Sequence, residues 1–291
     1  MNVSLAAIVN DSPSTLLARA YLDPATRLAY ILGTGINAAI HVPVTSLGPS
    51  KFASRSLPND GGITHVLTNT EFSMYSKGIF PTTKWDEALN SSHILPNYQP
   101  FEYLVAGGYM GEIVRLIIVE ATKTAGLFGG SLPPSLISKY VLDTKLLAQI
   151  ELDNSDSLAT ICTLLHEHHP NDQFPSFNDG TFVRQTVRFV SGRSISYFAT
   201  GVHALSSLLE DLESEAGLQN DLDHISIGCD GSVINKYPGY MDRAQHALDE
   251  MILLEGLSRK RVILERTQES AVLGAAVAAA MAAAALTVSA A

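Results

Sequence analysis

Two stretches near the start of the chain carry residue types that could perform chemistry. An apolar run, Val3–Val9, leads into Asp11, and a turn at Gly33–Gly35 follows. A short apolar run bounded by a polar, proline-containing cluster is typical of a core strand, and open α/β sheets place their chemistry at the carboxyl ends of strands. We therefore predict a buried strand that delivers the Asp11 carboxylate to a cleft. The alternative is that Asp11 caps a helix over Ser12–Tyr21.

The turn itself predicts a phosphate site. Arg27–Leu32 and Ile36–Val42 both have strand character, and the glycine-rich turn between them predicts a hairpin. Glycines let backbone N–H groups approach a phosphate closely, and Thr34 adds a hydroxyl. A carboxylate beside a phosphate cradle indicates phosphoryl transfer.

An ordered set of segments resembles the hexokinase family, in which an Asn-Asp-Thr strand end carries the catalytic base. The matching segments are Val9–Leu16, Tyr21–Pro24, Gly33–Ala39, Asn69–Phe72, Pro100–Tyr103, Gly111–Leu116, Asp230–Val233 and Lys236–Gly239. The resemblance spans residues 1–291 as one domain, the large (C-terminal) lobe. It implies an α/β fold of the actin-like ATPase (ribonuclease H-like) type, a mixed sheet flanked by helices.

The resemblance also implies an activity: transfer of the ATP γ-phosphoryl group to the 6-hydroxyl of a hexose. Asp11 would be the catalytic base, and Mg²⁺ would be held through the ATP phosphates, with no metal ligands in the chain. The sugar contacts carried over are Asn10, Asp11, Asn37, Glu71 and Glu102. The nucleotide contacts carried over are Gly33, Thr34, Gly35, Thr144, Gly231 and Ser232.

The residue types at these positions are consistent with a sugar substrate, because carboxylates and amides recognise hydroxyl groups through directional hydrogen bonds. Alternatives stay open at three of these positions. Glu71, which follows a predicted strand at His65–Thr70, could be a surface acid. Glu102 could owe its place in the first turn of a helix to the helix dipole. Gly231 and Ser232, after a predicted strand at His224–Cys229, could form a plain turn.

Several features favour a second interpretation, a catalytically inactive sugar-sensing or regulatory homologue, or a truncated fragment. The chain starts at the Asn-Asp segment, so the small lobe of the family, with its own phosphate loop, is expected to be missing. The segment Glu269–Leu273 is also bulkier than the family pattern, and as a separate departure Ser14 stands where the family has a glycine. We expect little or no kinase activity from this chain by itself.

Two further segments bear on which sugar is the substrate. Thr83–Leu89 and Thr124–Gly130 look more like the fungal branch that includes N-acetylglucosamine kinases than like glucose enzymes.

Composition limits the other classes of function. The formal net charge of −10 argues against a nucleic-acid partner. The two cysteines form no readable disulfide framework, and the absence of a signal-peptide pattern makes a cytoplasmic protein the expectation. The alanine-rich run from Gly274 to Ala291 predicts a packed terminal helix and no membrane span. His166, His168 and His169 do not match a metal-ligand spacing, and they are expected in an exposed loop.

Hydrophobic periodicity predicts the remaining elements. A loop is expected from Pro43 to Gly62, and one helical pattern runs from Phe101 to Ile118. Two helices split near Gly192 are expected between Thr181 and Glu215. A short helix is expected from Asp143 to Glu151, and a last strand at Arg261–Leu264.

Overall fold

A computed structural model of the protein describes residues 5–52, 63–218, 223–254 and 261–289. Its centre is a five-stranded mixed sheet in the order β3-β2-β1-β4-β5. The pairs β1–β2 and β2–β3 are antiparallel, and the pairs β1–β4 and β4–β5 are parallel. The strands are β1 (Thr26–Leu32), β2 (Ile36–Pro43), β3 (His65–Asn69), β4 (His224–Asp230) and β5 (Arg261–Arg266).

Helices cover both faces of this sheet. Helix α1 (Asp11–Leu22) packs on α10 (Ser270–Ser289) on one face, and the longest helix, α7 (Phe177–Glu215), packs on the other side with α3, α4 and α9. The remaining bounds are α2 (Lys84–Ser91), α3 (Pro100–Val105), α4 (Gly107–Ala125), α5 (Thr144–Leu152), α6 (Ala159–His168), α8 (Ser232–Lys236) and α9 (Tyr240–Leu254). None of the helices in the described residues is long and apolar enough to cross a membrane.

The alternation of large and small residues along β1 explains this layering. Side chains at alternate positions of a strand point to opposite faces. Leu28 and Tyr30 join the main core, where the Tyr30 ring meets Phe72 and Phe198 edge to face. Ala29 faces the other way and packs with Leu16 of α1. The small residue lets α1 lie close to the sheet.

Much of the predicted architecture is confirmed. The hairpin of β1 and β2, the strands β3, β4 and β5, and the short helix α5 form where the sequence places them. The C-terminal run is a helix packed on α1. The predicted loop after Pro43 contains two short 3₁₀ turns, and its residues 53–62 lie outside the described part of the chain.

The predicted strand at Val3–Val9 is wrong over its described part. Residues 5–10 have no regular structure, Leu5 and Ile8 are exposed, and residues 1–4 lie outside the described ranges. An apolar run becomes a strand only when it pairs with another strand, and these residues have no place in the described sheet order. Asp11 instead begins α1, with Asn10 as its N-cap. The alternative is correct that a helix forms here, but its cap is Asn10, and Asp11 is the first residue of the helix.

Two helix boundaries also differ from the prediction. The pattern expected to split near Gly192 is one helix, α7, because a glycine inside a helix costs only about 1 kcal/mol and this helix buries residues along most of its length. Conversely, the pattern after Phe101 breaks at Ala106, which takes an extended conformation between α3 and α4. Periodicity alone does not reveal a one-residue break, since the apolar spacing continues across it.

Candidate active site

The Gly33–Gly35 turn lies at the sheet edge where the predicted site residues converge. The turn joins the end of β1 to the start of β2, with Ile31 opposite Asn37. Ile31 also lies opposite Asp230 at the end of β4, because β1 and β4 are parallel. The end of β3 reaches the same edge, since Asn69 pairs with Ala39. The ends of three strands and the start of a fourth therefore meet here.

A chain of polar side chains links β2 to the segment after β3. Asn37 donates from Nδ2 to Oδ1 of Asn69 at 2.9 Å, and Asn69 donates from Nδ2 to Oε1 of Glu71 at 2.7 Å. The backbone N–H of Phe72 donates back to Oδ1 of Asn37 at 3.2 Å. Glu71 has φ 51° and ψ 47°, a left-handed conformation that a non-glycine residue adopts at a cost. These contacts fix an amide and an exposed carboxylate side by side.

Glu102 is the buried carboxylate of the site. It lies in the first turn of α3, as the sequence predicts, and only 8% of its surface is exposed. Its Oε2 accepts the Ile36 N–H at 2.9 Å, and its Oε1 accepts the Tyr109 hydroxyl at 3.2 Å. Burial raises the pKa of Glu102, while the hydrogen bonds from Ile36 and Tyr109 oppose that rise.

Gly35 brings Glu102 against the turn. A Cβ atom at Gly35 would lie 2.5 Å from Oε2 of Glu102, closer than side chains approach. Because Ile36 N–H binds the same oxygen, the turn and the carboxylate form one rigid unit. Glu102 is thereby joined to Asn37, the next residue along β2.

On the other side of the turn lies a groove of about 420 Å³. The predicted nucleotide residues Gly33, Thr34, Thr144 and Ser232 line it, whereas Gly35 faces Glu102. Gly231 is the N-cap of α8 with φ +116°, a backbone conformation that favours glycine, and it packs against the Leu32 carbonyl. The groove is also lined by Gly107, Gly108, Tyr140, Leu142, Asp143, Lys145, Ala148, Val233, Lys236 and Tyr237.

The start of α4 forms the floor of this groove. Gly107 N–H donates to the Gly33 carbonyl at 2.8 Å, and Gly108 N–H donates to the Thr34 carbonyl at 3.0 Å. Thr144 donates its hydroxyl to the Gly107 carbonyl. The N-terminus of a helix carries a partial positive charge, which favours anions. The N–H groups of Gly107, Gly108, Tyr109 and Met110 are all bonded to backbone carbonyls, so the groups that could pair with a phosphate here are Lys145 and Lys236, which line the groove.

The structure places Asp11 at the same sheet edge but outside both clusters. Thr15 bonds the Asp11 carbonyl at 3.0 Å and the Ser270 hydroxyl at 2.9 Å, and Ser270 donates to Asp230 at the end of β4. Asn10 and Asp11 are exposed. Within the described ranges, the hydrogen bonds of these two side chains go to Ser12 alone. The geometry therefore does not bring Asn10 or Asp11 into contact with Asn37, Glu71 or Glu102.

The structure locates both departures from the family pattern. Ser14 lies inside α1, where serine is sterically ordinary, and its hydroxyl bonds the Ser270 and Ala271 carbonyls at 3.2 and 3.0 Å. The segment Glu269–Leu273 leads into α10 and does not line the groove. Neither change fills the groove.

Sequence reasoning missed two site residues. Asn69 lies in a matched segment but is not among the predicted contacts, although it bridges Asn37 and Glu71. Tyr109 was read only as part of a helical pattern, and its hydroxyl bonds Glu102. Helical spacing could not have revealed this contact, because Glu102 lies in α3 and Tyr109 lies in α4, on either side of the break at Ala106.

The histidine cluster is not in an exposed loop. His166 and His168 lie in the last turn of α6, and His169 is its buried C-cap. The described residues contain no group of three or more His, Cys, Asp or Glu side chains arranged to hold a metal ion.

Comparison with known proteins identifies the family. The family model described as hexokinase matches residues 27–281. A hexokinase of Emericella nidulans is 29% identical over 283 residues, which are 96% of this chain and 54% of that protein. A chloroplastic hexokinase-4 of Oryza sativa subsp. japonica is 30% identical over 281 residues, which are 96% of this chain and 52% of that protein. The chain spans about half the length of the curated relatives it matches.

Solved structures of hexokinases resemble this chain over most of its length. The hexokinase from Schistosoma mansoni complexed with glucose superposes with a TM-score of 0.79 at 25% identity, covering 94% of this chain and 57% of that one. A second hexokinase crystal structure gives a TM-score of 0.73, also at 25% identity, covering 94% of this chain and 55% of that one. The mixed sheet flanked by helices therefore has the predicted actin-like ATPase fold. Because the family model matches most of the chain, we conclude that this protein belongs to the hexokinase family.

Proposed function

We propose that this chain, as the large domain of a hexokinase, carries the sugar and nucleotide contacts of an ATP-dependent hexose kinase. One observation supports this most strongly: the Gly33–Gly35 turn is shared by two different clusters. On one side Gly35 contacts Glu102, and on the other Gly33 and Thr34 line the groove. A sugar and a polyphosphate bound on the two sides would meet at the turn.

Each cluster suits its ligand. The amides of Asn37 and Asn69 offer both donors and acceptors, and the carboxylates of Glu71 and Glu102 accept from hydroxyls. The nucleotide would lie in the groove with its phosphates toward Gly33, Thr34 and the start of α4. Positioning of the two reactants is the main source of catalysis in phosphoryl transfer.

The reaction needs a base at the sugar hydroxyl. The 6-hydroxyl oxygen attacks the γ-phosphorus, the bond to the β-phosphate oxygen breaks, ADP leaves, and the hydroxyl proton passes to a carboxylate. We assign that carboxylate to Asp11, whose backbone carbonyl accepts the Thr15 hydroxyl. Thr15 also bonds Ser270, which in turn donates to Asp230 at the end of β4. General-base catalysis contributes about 10²–10⁴ in rate.

Mg²⁺ would be held mainly through the ATP phosphates, as is usual where a nucleotide brings its metal ion to the site. When bound, it neutralises phosphate charge as the leaving group departs. The side chains assigned to the phosphate end, Thr34, Lys145 and Lys236, are donors and fit this arrangement.

A second candidate is a sugar-binding protein without turnover. The observation that favours it is the exposure of Asp11, whose side chain accepts a hydrogen bond from Ser12 alone among the described residues. The two candidates share the sugar site and differ only in phosphoryl transfer.

The test is isothermal titration with glucose and N-acetylglucosamine, combined with a radiolabelled-phosphate transfer assay on the purified chain. We expect one of the two sugars to bind and to be phosphorylated only slowly, because the chain by itself is expected to have little kinase activity. Asp11→Asn should lower that turnover by about 10² or more while changing sugar affinity less. Residual turnover is sufficient for this comparison.

Asp242→Asn is the matched control, because Asp242 is also an exposed carboxylate in the first turn of a helix, far along the chain in α9. It is expected to leave turnover unchanged. Sugar binding without any transfer would select the second candidate. Unchanged turnover in Asp11→Asn would remove Asp11 from the role of base.

A further inference from the structure

Helix α4 contains a buried ion pair that the reaction does not use directly. Arg115 donates from Nε to Oε2 of Glu112 at 2.7 Å and from Nη2 to Oε1 at 2.6 Å. Glu112 is 3% exposed and Arg115 is 5% exposed. An Arg and a Glu three residues apart usually form a solvent-exposed pair on a helix. Here the pair is buried beneath another segment of the chain.

That segment, residues 136–144, is called the wall segment below, and the ion pair binds its backbone. Arg115 donates from Nη1 to the Leu136 carbonyl at 2.7 Å, and the Tyr140 N–H donates to Oε2 of Glu112 at 2.7 Å. Gly111 extends the same contact, because a Cβ there would lie 1.7 Å from the Leu142 carbonyl. One face of α4 thus holds the wall segment at three points.

The wall segment forms one side of the nucleotide groove. It contributes Tyr140, Leu142, Asp143 and Thr144 to the groove lining, whereas Glu112 and Arg115 do not line it. Tyr140 has φ +60°, a conformation that a non-glycine residue keeps only where its surroundings hold it. The N–H bonded to Glu112 belongs to this residue.

We propose that Glu112 and Arg115 are positioning residues for the nucleotide, which act by fixing the wall segment opposite Gly33 and Ser232. A buried ion pair is a poor source of net stability, since burying the charges costs about as much as their attraction returns. Such a pair can nevertheless fix the position of the groups that it binds, because the planar guanidinium directs its hydrogen-bond donors along fixed lines. This inference rests on the proposed function, since it assumes that the nucleotide occupies the groove.

The test uses Arg115→Lys in the full chain, with ADP as the probe. Lysine keeps the charge but cannot bind the carboxylate in two places and also reach the Leu136 carbonyl. We expect ADP affinity, measured by isothermal titration, to fall about tenfold or more, with glucose affinity nearly unchanged. Hydrogen exchange of amides in residues 136–144 is expected to speed up.

Arg193→Lys is the matched control. Arg193 also binds a buried carboxylate in two places, Asp86 at 2.7 and 2.8 Å, but this pair joins α7 to α2 and neither residue lines the groove. It is expected to lower the free energy of unfolding without changing ADP affinity. If Arg115→Lys does not fold, Glu112→Gln replaces it, since it keeps the shape and an acceptor for Tyr140 but removes the charge.

The outcomes separate this inference from the proposed function. A wild-type chain that does not bind ADP contradicts the groove as a nucleotide site, and the inference falls with it. A wild-type chain that binds ADP, together with an Arg115→Lys variant that binds it equally well, contradicts the inference alone. If Arg193→Lys loses as much ADP affinity as Arg115→Lys does, the loss in both variants comes from general destabilisation of the fold. That result would also overturn the inference.

Discussion

At the scale of single residues, Glu102 shows how burial tunes a sugar contact. The carboxylate must be ionised to accept hydrogen bonds from a sugar on both oxygens. Burial raises its pKa, and only the Ile36 N–H and the Tyr109 hydroxyl favour the charged form. The pKa of Glu102 thus reflects burial opposed by two hydrogen bonds, one of which a single substitution can remove.

Tyr109→Phe is therefore expected to make sugar binding more sensitive to acid. The pKa of Glu102 rises further when the hydroxyl donor is lost, so sugar affinity begins to fall at a higher pH as acid is added. Isothermal titration with glucose, or with N-acetylglucosamine if that is the sugar bound, from about pH 8 down to about pH 5 measures this. Tyr21→Phe, at an exposed position of α1, is the control and should reproduce the wild-type curve. Superimposable curves for Tyr109→Phe and wild type would show that the Tyr109 hydroxyl does not tune Glu102.

At the scale of elements, the contact between α1 and α10 sets where Asp11 lies. Gly274 of α10 approaches the backbone of Ser14, so that a Cβ at Gly274 would lie 1.9 Å from the Ser14 carbonyl. The hydroxyls of Ser14 and Thr15 bond to Ser270 and Ala271 at the start of α10. Small and hydroxylated residues thus bring helix α1 close to α10 at this point.

Gly274→Ala and Gly192→Ala are expected to change stability in opposite directions. The first forces α1 and α10 apart and should lower the free energy of unfolding by about 1–3 kcal/mol. The second lies inside α7, where its Cβ would meet only Arg243 at 3.6 Å, and should raise that free energy by about 0.5–1 kcal/mol. Urea denaturation of both variants measures the difference. A Gly274→Ala variant as stable as wild type would contradict the close approach of α10 to the backbone of α1 at Ser14.

The elements that the sequence predicted well are those with local signals. The Gly33–Gly35 turn between two apolar runs is enough to predict the hairpin, and Asp143 before a helical pattern is enough to predict the start of α5. The strand at Val3–Val9 failed because pairing with a partner strand is not a local property. The site residues show the same difference between local signals, which the sequence reveals, and tertiary contacts, which it does not. Glu102 could be placed in a first turn, but the tertiary contact with Gly35 and the hydroxyl of Tyr109 depends on how helices pack.

At the scale of the whole molecule, α7 is the main support of the core. Its 39 residues span about 58 Å, and it packs against α3, α4, α5, α6 and α9. Its start is tied to the segment after α4, because Asp179 accepts the Phe128 N–H at 2.7 Å. The two sides of the site, which come from different parts of the chain, therefore rest on one helix.

One buried and two half-buried histidines make the stability of the fold depend on pH. The pKa values of His41, His93 and His169 all lie below the usual 6.5, and burial is the largest cause for each. His169 is 5% exposed, with Nδ1 at 2.9 Å from the Ser135 hydroxyl and Nε2 without a partner in the described structure. His168 lowers the pKa of His169 further, and Asp143 opposes this effect.

The pKa of His169 is lower in the folded protein than in the unfolded chain. As pH falls through 6.5, the unfolded chain therefore binds a proton that the folded protein does not bind, and the free energy of unfolding decreases. For each such proton the decrease is at most about 1.4 kcal/mol per pH unit, and it ends below the lowered pKa of the folded state. His169→Gln should flatten this dependence between about pH 7.5 and pH 5.5, measured by urea denaturation at several pH values. His246→Gln, whose side chain is 76% exposed, should keep the wild-type slope. Equal slopes in His169→Gln and wild type would mean that His169 takes up its proton as readily in the folded protein as in the unfolded chain, and that its burial in the α6 cap is not what makes the fold sensitive to acid.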